Sequence, residues 1–321
     1  MARMPRTILP GLLHEVTIKT FQARFLLTPD GRLNDLVLGV LARAQRLSGL
    51  TVCAVVALSN HLHLLVVPDS EHQLMRFCQF AASNISREVG RLRNWAGGIF
   101  RRRYSLVVVT DEPVAQVARL RYLLSHGVKE GLVRRPQDWP GVHCVRELLA
   151  GKSQMPGVWV DRTALYAAVR KARRVGRKSS VREADHEQLE VLQLAKLPCW
   201  AYLDDAAYKT AIAELVADIL LENQERAATV DSRSVERIRR QDPEHRPVTT
   251  KRSPRPLCHA ASRSERRQLH QLLRDWIDAY YQASRRFLSG DRSALDAFPP
   301  GAFLPPLALG SRFALPTCAP P

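Results

Sequence analysis

Over roughly the first 130 residues, hydrophobic positions switch between a two-residue and a 3.6-residue period, the signatures of strand and helix. Val16-Thr-Ile-Lys-Thr-Phe21 is β-branched and alternating, and predicts a first strand. Leu36, Val37, Val40, Leu41, Ala44 and Leu47 then follow helical spacing across 34–48, and Gly49 closes that helix. Leu50 to Leu58 is an apolar strand, Ser59-Asn60 a turn, and a second strand runs to Pro68. A helix over 71–92 carries Leu74, Phe77, Cys78, Ala81, Ile85 and Val89 on one side. After Gly97-Gly98, the stretch Ile99 to Val109 predicts a strand with a strongly basic entrance. Thr110-Asp-Glu-Pro113 starts a further helix, with a capping residue, early acids and Pro at the first helical position; it continues to His126 and stops at Gly127. Three strand–helix alternations predict an α+β sandwich, helices packed on one mainly antiparallel sheet.

The remainder changes character. Residues 204–228 predict a helix with Tyr208, Ile212, Leu215 and Ile219 on its stripe. Residues 231–256 read as a basic linker, with Arg237-Ile-Arg-Arg240 and Lys251-Arg-Ser-Pro-Arg255. A capping box, Ser262-x-x-Glu265, opens a helix with Leu269, Leu273, Trp276, Tyr280 and Phe287 in register. From Phe298 the chain is Pro-rich and reads as irregular. The division expected is 1–150 for a compact catalytic domain and 151–321 for a helical, basic, Pro-containing C-terminal extension.

Charge narrows the function. The 321 residues carry 48 Lys+Arg against 31 Asp+Glu, a net charge of +17. Such an excess favours a polyanionic partner, nucleic acid before anionic membrane. The six cysteines are widely spaced with no C-x-x-C pair, which suits a reducing cytosol rather than a disulfide framework. The basic first residues lack a following apolar signal core, and no apolar run reaches a membrane-spanning length.

The candidate chemistry sits in Ser59-Asn60-His61-Leu62-His63-Leu64. Alternation along a strand puts His61 and His63 on one face and Leu62 and Leu64 on the other. Two such imidazoles make half of a divalent-metal site; alone, they are as readily a pair of hydrogen-bonded strand histidines. In the helix before Gly127, at about 100° per residue, Val117, Leu120, Leu124 and Val128 share roughly one quadrant. Tyr122 and His126, one turn apart, lie nearly opposite, with Arg119 beside them. A tyrosine away from the apolar stripe, next to a third imidazole, points to chemistry rather than packing.

Four segments in order carry a family likeness: Ala57 to Pro68 with its Asn-His-Leu-His, Gly98-Ile-Phe-Arg-Arg-Arg-Tyr-Ser105, Arg121-Tyr-Leu-Leu-Ser-His-Gly-Val-Lys-Glu-Gly-Leu-Val133, and Asp138-Trp-Pro140. Together they resemble the single-tyrosine HUH transposases, which include the REP-associated tyrosine transposases and their small insertion-sequence relatives. The resemblance spans roughly residues 10 to 150. It implies a ferredoxin-like (RRM-like) antiparallel sheet with helices packed on it, the HUH fold, followed here by a mostly α-helical C-terminal extension. It also places Tyr122 on the nucleophile and His61 and His63 on two metal ligands. The family's third ligand, Gln or Asn, falls on His126, a competent ligand of altered preference. Gly127 stands where relatives have Pro, and Gly-Val-His follows Pro140 where an aromatic-Ser-Ser run is usual.

The implied reaction is DNA transposition: cleavage and rejoining of single-stranded or hairpin DNA through a 5′-phosphotyrosine, with Mg²⁺ or Mn²⁺ on His61, His63 and His126. Relatives include monomers and homodimers that exchange the tyrosine helix, so the tyrosine's action in cis or in trans stays open. Arg101, Arg102, Arg103 and Arg119 are candidate phosphate contacts. Two rivals remain. One is a non-catalytic, domesticated nucleic-acid binder on the same scaffold; the other is an unrelated metal hydrolase, which lacks a general-base carboxylate near the His-x-His. Gly151-Lys-Ser153 is no P-loop, Asp204-Asp205 reads as an acidic helix start, and His143, His259 and His270 read as structural or exposed.

Overall fold

The computed structural model describes residues 7–100, 103–174, 181–248, 258–302 and 304. Strand β1 (His14–Lys19), helix α1 (Gly31–Ser48), strands β2 (Thr51–Leu58) and β3 (His61–Val67), helix α2 (Glu71–Leu92), strand β4 (Ser105–Val109) and helix α3 (Pro113–Leu124) reproduce the predicted alternation. The main sheet has the order β2-β3-β1-β4 and is antiparallel throughout these strands. A two-residue strand pairs parallel with β4 at its far edge and is introduced in chain order below. The fold is thus α+β, as the patterning predicts.

Each helix boundary has a local cause. Asp30 caps α1 by accepting from Leu33 N–H, and Gly49, at φ +72°, ends it in the left-handed conformation that glycine adopts without steric cost. Ser70 caps α2. The start of α3 differs from the capping expectation: Glu112 is the N-cap and makes no side-chain cap. Its carboxylate instead accepts from Thr110 Oγ1 and from the backbone N–H groups of Ala261 and Ser262, which holds its pKa down at about 2. The predicted strand from Ile99 begins only at Ser105, after a single bridge between Thr20 and Phe100.

The apolar face of β1 and β3, with Val16, Ile18, Leu62, Leu64 and Val66, is sealed in one core with Leu33, Val37, Val40 and Leu41 of α1 and Phe77, Ala81 and Ile85 of α2. Both edges of the sheet are covered. Residues 142–144 bridge the outer side of β2 through Ala57 N–H to Val142 O and Cys144 N–H to Val55 O, and Ala195 N–H adds a bond to Val52 O. Covering an edge removes a template for unwanted strand pairing. Trp139, fully buried, donates its indole N–H to Ala57 O at 2.8 Å, so the Asp138-Trp-Pro140 segment locks this cover.

Beyond α4 (Val145–Leu149) the extension contains a hairpin that the sequence pattern hid. Strands β5 (Gln154–Val160) and β6 (Glu187–Gln193) flank helix α5 (Arg162–Arg174). Pro156 and Gly157 argue against a strand in β5, and β6 alternates with charges, so neither reads as buried sheet. The hairpin lies against α1. Backbones meet at Gly39 and Gly157, where a Cβ on Gly39 would stand 2.1 Å from the Val158 carbonyl. Arg43 and Arg46 of α1 hold Glu190, and Arg32 holds Glu183 and Glu187. Helices α6 (Asp205–Glu222), α7 (Gln224–Ala228) and α8 (Ser234–Arg239) follow. Asp204 caps α6 through Ala207 N–H, and Tyr208, Ile212 and Ile219 join the main core.

The predicted basic linker includes α8 and its Arg237-Ile-Arg-Arg240 run; Lys251 to Arg255 lie outside the described residues. Strand β7 (Cys258–His259) is the two-residue strand at the β4 edge, and α9 (Arg263–Leu288) starts at the expected Ser262 cap. Most of the Pro-rich end lies outside the described residues.

Replacing Gly39 with Ala should destabilise the fold by about 1–3 kcal/mol through overpacking. Chemical denaturation checks it, and an unchanged midpoint would mean that the hairpin can move away at no cost.

Candidate metal centre and its tyrosine

Strand β3 sets His61 and His63 on the face opposite Leu62 and Leu64, as alternation requires. The register with β1 places Thr17 beside His63 and Lys19 beside His61, so Glu15, Thr17 and Lys19 share that polar face. Helix α3 lies over it. The helix ends at Leu124, two residues short of His126, which sits in the exit turn and is buried. Gly127 shapes that turn: its φ is +88°, and its N–H donates to Glu130 Oε2 at 2.6 Å. A Cβ there would meet Val133 at 3.0 Å and Trp139 at 3.3 Å. The departure from proline thus has a structural basis, since proline has neither that φ nor an N–H.

The three imidazoles converge. Ring centroids are 4.7 Å apart for His61–His63, 4.5 Å for His63–His126 and 5.9 Å for His61–His126. One ligand nitrogen from each lies within 4.8 Å of the others. Every Nδ1 faces an acceptor: Asn60 Oδ1 at 2.6 Å for His61, Glu15 Oε1 at 2.6 Å for His63, and Leu123 O at 2.9 Å for His126. An acceptor at Nδ1 keeps the proton there and leaves Nε2 as a free lone pair, the arrangement that orients metal-bound histidines. His63 Nε2 is buried and has no hydrogen-bond partner among the described residues, so the donor set fits a divalent ion.

One ligand position is contested: Lys129 Nζ lies 3.1 Å from His126 Nε2, on the lone pair that a metal would need.

The electrostatics keep the cluster neutral. Burial, more than neighbouring cations, pushes the pKa values of His61, His63 and His126 below the usual histidine value. Glu15 is the anion. Burial raises its pKa, but the bonds and charges of His63 and Arg119 outweigh that and hold it low. Arg119 completes the ion pair with Glu15 and is itself largely buried. Tyr122 is 41 % exposed. Its ring lies 4.9 Å from His126 and 6.2 Å from His63, with the Arg119 guanidinium 4.7 Å and Lys129 Nζ 3.4 Å from its centroid. Burial and the Glu15 charge raise the phenol's pKa, with Arg119 opposing, so the resting phenol is protonated. Burial also lowers Lys129 to about 8.

Of the candidate site residues, His61, His63, His126, Tyr122 and Arg119 come together. Arg103 is exposed, and Arg101 and Arg102 lie outside the described residues. His143 is structural: it is buried, and its Nδ1 accepts from Val145 N–H. Glu15 and Lys129 escaped the sequence reading. Glu15 was signalled by the polar alternation Glu15-x-Thr17-x-Lys19 along β1, which a strand taken to start at Val16 leaves out. Lys129 had no such signal, because it acts from the irregular turn after α3.

Gly127→Pro should cost about 3 kcal/mol or more, since it removes the bond to Glu130 and requires a φ that proline cannot adopt. Thermal unfolding reads the loss; stability equal to wild type would mean that the exit turn can be rebuilt.

No family model and no curated protein matches this sequence. Two solved structures are similar to part of it. One is a REP-associated tyrosine transposase bound to a REP hairpin, 16 % identical with a TM-score of 0.40, covering 47 % of this chain and 86 % of its own. The other, a provisionally assigned transposase from Deinococcus radiodurans R1, is 17 % identical with a TM-score of 0.28, covering 37 % of this chain and 95 % of its own. Each likeness is confined to less than half of this chain.

Proposed function

We propose that this chain is a DNA transposase that cleaves and rejoins single-stranded DNA with Tyr122 as nucleophile, His61, His63 and His126 as ligands of Mg²⁺ or Mn²⁺, and residues 1–150 as the catalytic unit. The observation that carries it is Tyr122 beside the three-imidazole cluster, with two cations against its ring. The four sequence segments that resemble single-tyrosine HUH transposases supply the same assignment independently.

In this reading the Tyr122 phenol oxygen forms a bond to phosphorus, the bond from phosphorus to the 3′ oxygen breaks, and the products are a 5′-phosphotyrosine and a free 3′-hydroxyl. The phosphotyrosine bond keeps the energy of the broken one, so rejoining to a second hydroxyl needs no nucleotide cofactor. A divalent ion bound by the three imidazoles would neutralise and orient the scissile phosphate. Arg119 and Lys129 favour the phenolate as the phenol proton departs. Glu15 fixes the His63 ring and the Arg119 head together. In this reading Arg103, exposed ahead of β4, contacts backbone phosphate.

Tyr122→Phe should abolish a covalent adduct with single-stranded oligonucleotides, read on denaturing gels, while leaving DNA affinity within twofold. An adduct that persists would assign the nucleophile elsewhere.

The contact of Lys129 with His126 Nε2 favours a second reading, a nucleic-acid binder whose cluster is closed by the lysine. Removing that competitor with Lys129→Met should tighten Mn²⁺ binding by about tenfold, equivalent to about 1.4 kcal/mol. Calorimetric titration measures it. Absence of Mn²⁺ binding in both proteins, together with metal-independent DNA affinity, selects the binder.

A further inference from the structure

The end of α2 opens into a cleft of about 390 Å³ whose walls include Arg87, Arg91, Asn94 and Trp95. That volume is within the range of small-ligand pockets. The guanidinium of Arg24 lies 5.4 Å from the Trp95 ring. Arg87 stands exposed on the rim, with no ion pair among the described residues. Arg91 leads out of the cleft: it donates to Tyr166 Oη at 3.0 Å, and its guanidinium lies 6.0 Å from that ring. Tyr166 is 49 % exposed and begins the outer face of α5. At about 100° per residue, Arg170 and Arg173 fall within 40° of Tyr166, and Arg174 within 80°. All three are exposed and, like Lys171, have no ion pair among the described residues.

A solvated helix face normally mixes signs, and one or two cations suffice to complement the C-terminal dipole. Helix α5 instead has five cations and no carboxylate. Tyr166 shares the face of Arg170 and Arg173, and Arg91 links that ring to the cleft that Trp95 lines. Hydrogen bonds connect the cleft wall to the start of the histidine strand: Ser86 Oγ accepts from Ile99 N–H, Ile99 O accepts from Phe21 N–H, and Thr20 N–H donates to Asn60 O, next to His61.

We propose that the Trp95 cleft and the basic stripe of α5 form one track for single-stranded nucleic acid. The cleft takes an unpaired base against Trp95, and Arg170, Arg173 and Arg174 neutralise the phosphates that follow. The half-buried Trp95 and the exposed Tyr166, interleaved with arginines, suit a single strand, whose bases are free to stack; a duplex hides those faces. The C-terminal extension thereby supplies part of the substrate surface. The track rests on the proposed function for the strand it serves, and not for the chemistry.

The test measures anisotropy of a labelled 25-nucleotide single strand on the full chain in the Tyr122→Phe background, with chelator present, across a salt series. No adduct forms under these conditions, so failure of the cleavage reading leaves the measurement intact. Combined Arg170→Glu, Arg173→Glu and Arg174→Glu should weaken binding at least tenfold and flatten the salt slope by about 2, at roughly 0.7 per phosphate contact on single strands. Trp95→Ala should weaken it at least fivefold with the salt slope unchanged, and Trp95→Phe should restore it. If Trp95→Ala unfolds, Arg87→Glu on the exposed rim tests the same cleft and should weaken binding at least threefold. Binding within twofold of the parent for the triple variant, or for both cleft variants, overturns the proposal. So does an equal loss on duplex DNA of the same sequence.

Discussion

A buried carboxylate organises the candidate site. Glu15, 1 % exposed, receives the Nδ1 proton of His63 on one oxygen and the Arg119 guanidinium on the other. A charge so placed is costly unless it is paired and hydrogen-bonded, and these partners come from β3 and α3. The pairing therefore couples the strand that bears the histidines to the helix that bears the tyrosine. It also bears on the protonation pattern: burial keeps His63 neutral against the pull of Glu15, and the Nδ1–H bond to Glu15 leaves Nε2 available. Removing Arg119 would leave the Glu15 charge uncompensated within the sheet–helix interface, and removing Glu15 would take away the acceptor that orients the His63 ring.

The same centre crowds cations around a neutral cluster. Lys19, Lys129 and Arg119 all disfavour protonated imidazoles, and burial does so more strongly. Neutral imidazoles are what a divalent ion needs, yet the nearest cation already occupies one lone pair. Lys129 Nζ lies against both His126 Nε2 and the Tyr122 ring. The left-handed Gly127 brings Lys129 to that place, because the chain turns back three residues after the end of α3.

The extension is built into the first half of the chain. The hairpin β5–β6 meets α1 at glycine-to-glycine distance, α6 shares the central core, and Arg121 of α3 pairs with Glu222 of α6. Gln241 reaches Ser59 at 2.6 Å, beside the histidine strand. Glu88 of α2 binds Arg162 at the start of α5, and this carries the basic helix to the end of α2.

What the sequence determined by itself is periodic or local. Alternation put His61 and His63 on one face, helical spacing defined α1 and α2, and the Asp204 and Ser262 caps announced their helices, because each depends on neighbours a few residues away. The tyrosine and third histidine were legible as a pair one turn apart. Their meeting with the strand was not, since it depends on a helix crossing that no local pattern encodes. Glu15 lies 48 residues from His63 and 104 from Arg119, so only strand register and helix packing could join them. The hairpin of the extension was hidden for a related reason: its proline, glycine and alternating charges become intelligible only against the arginines and the bare glycine of α1.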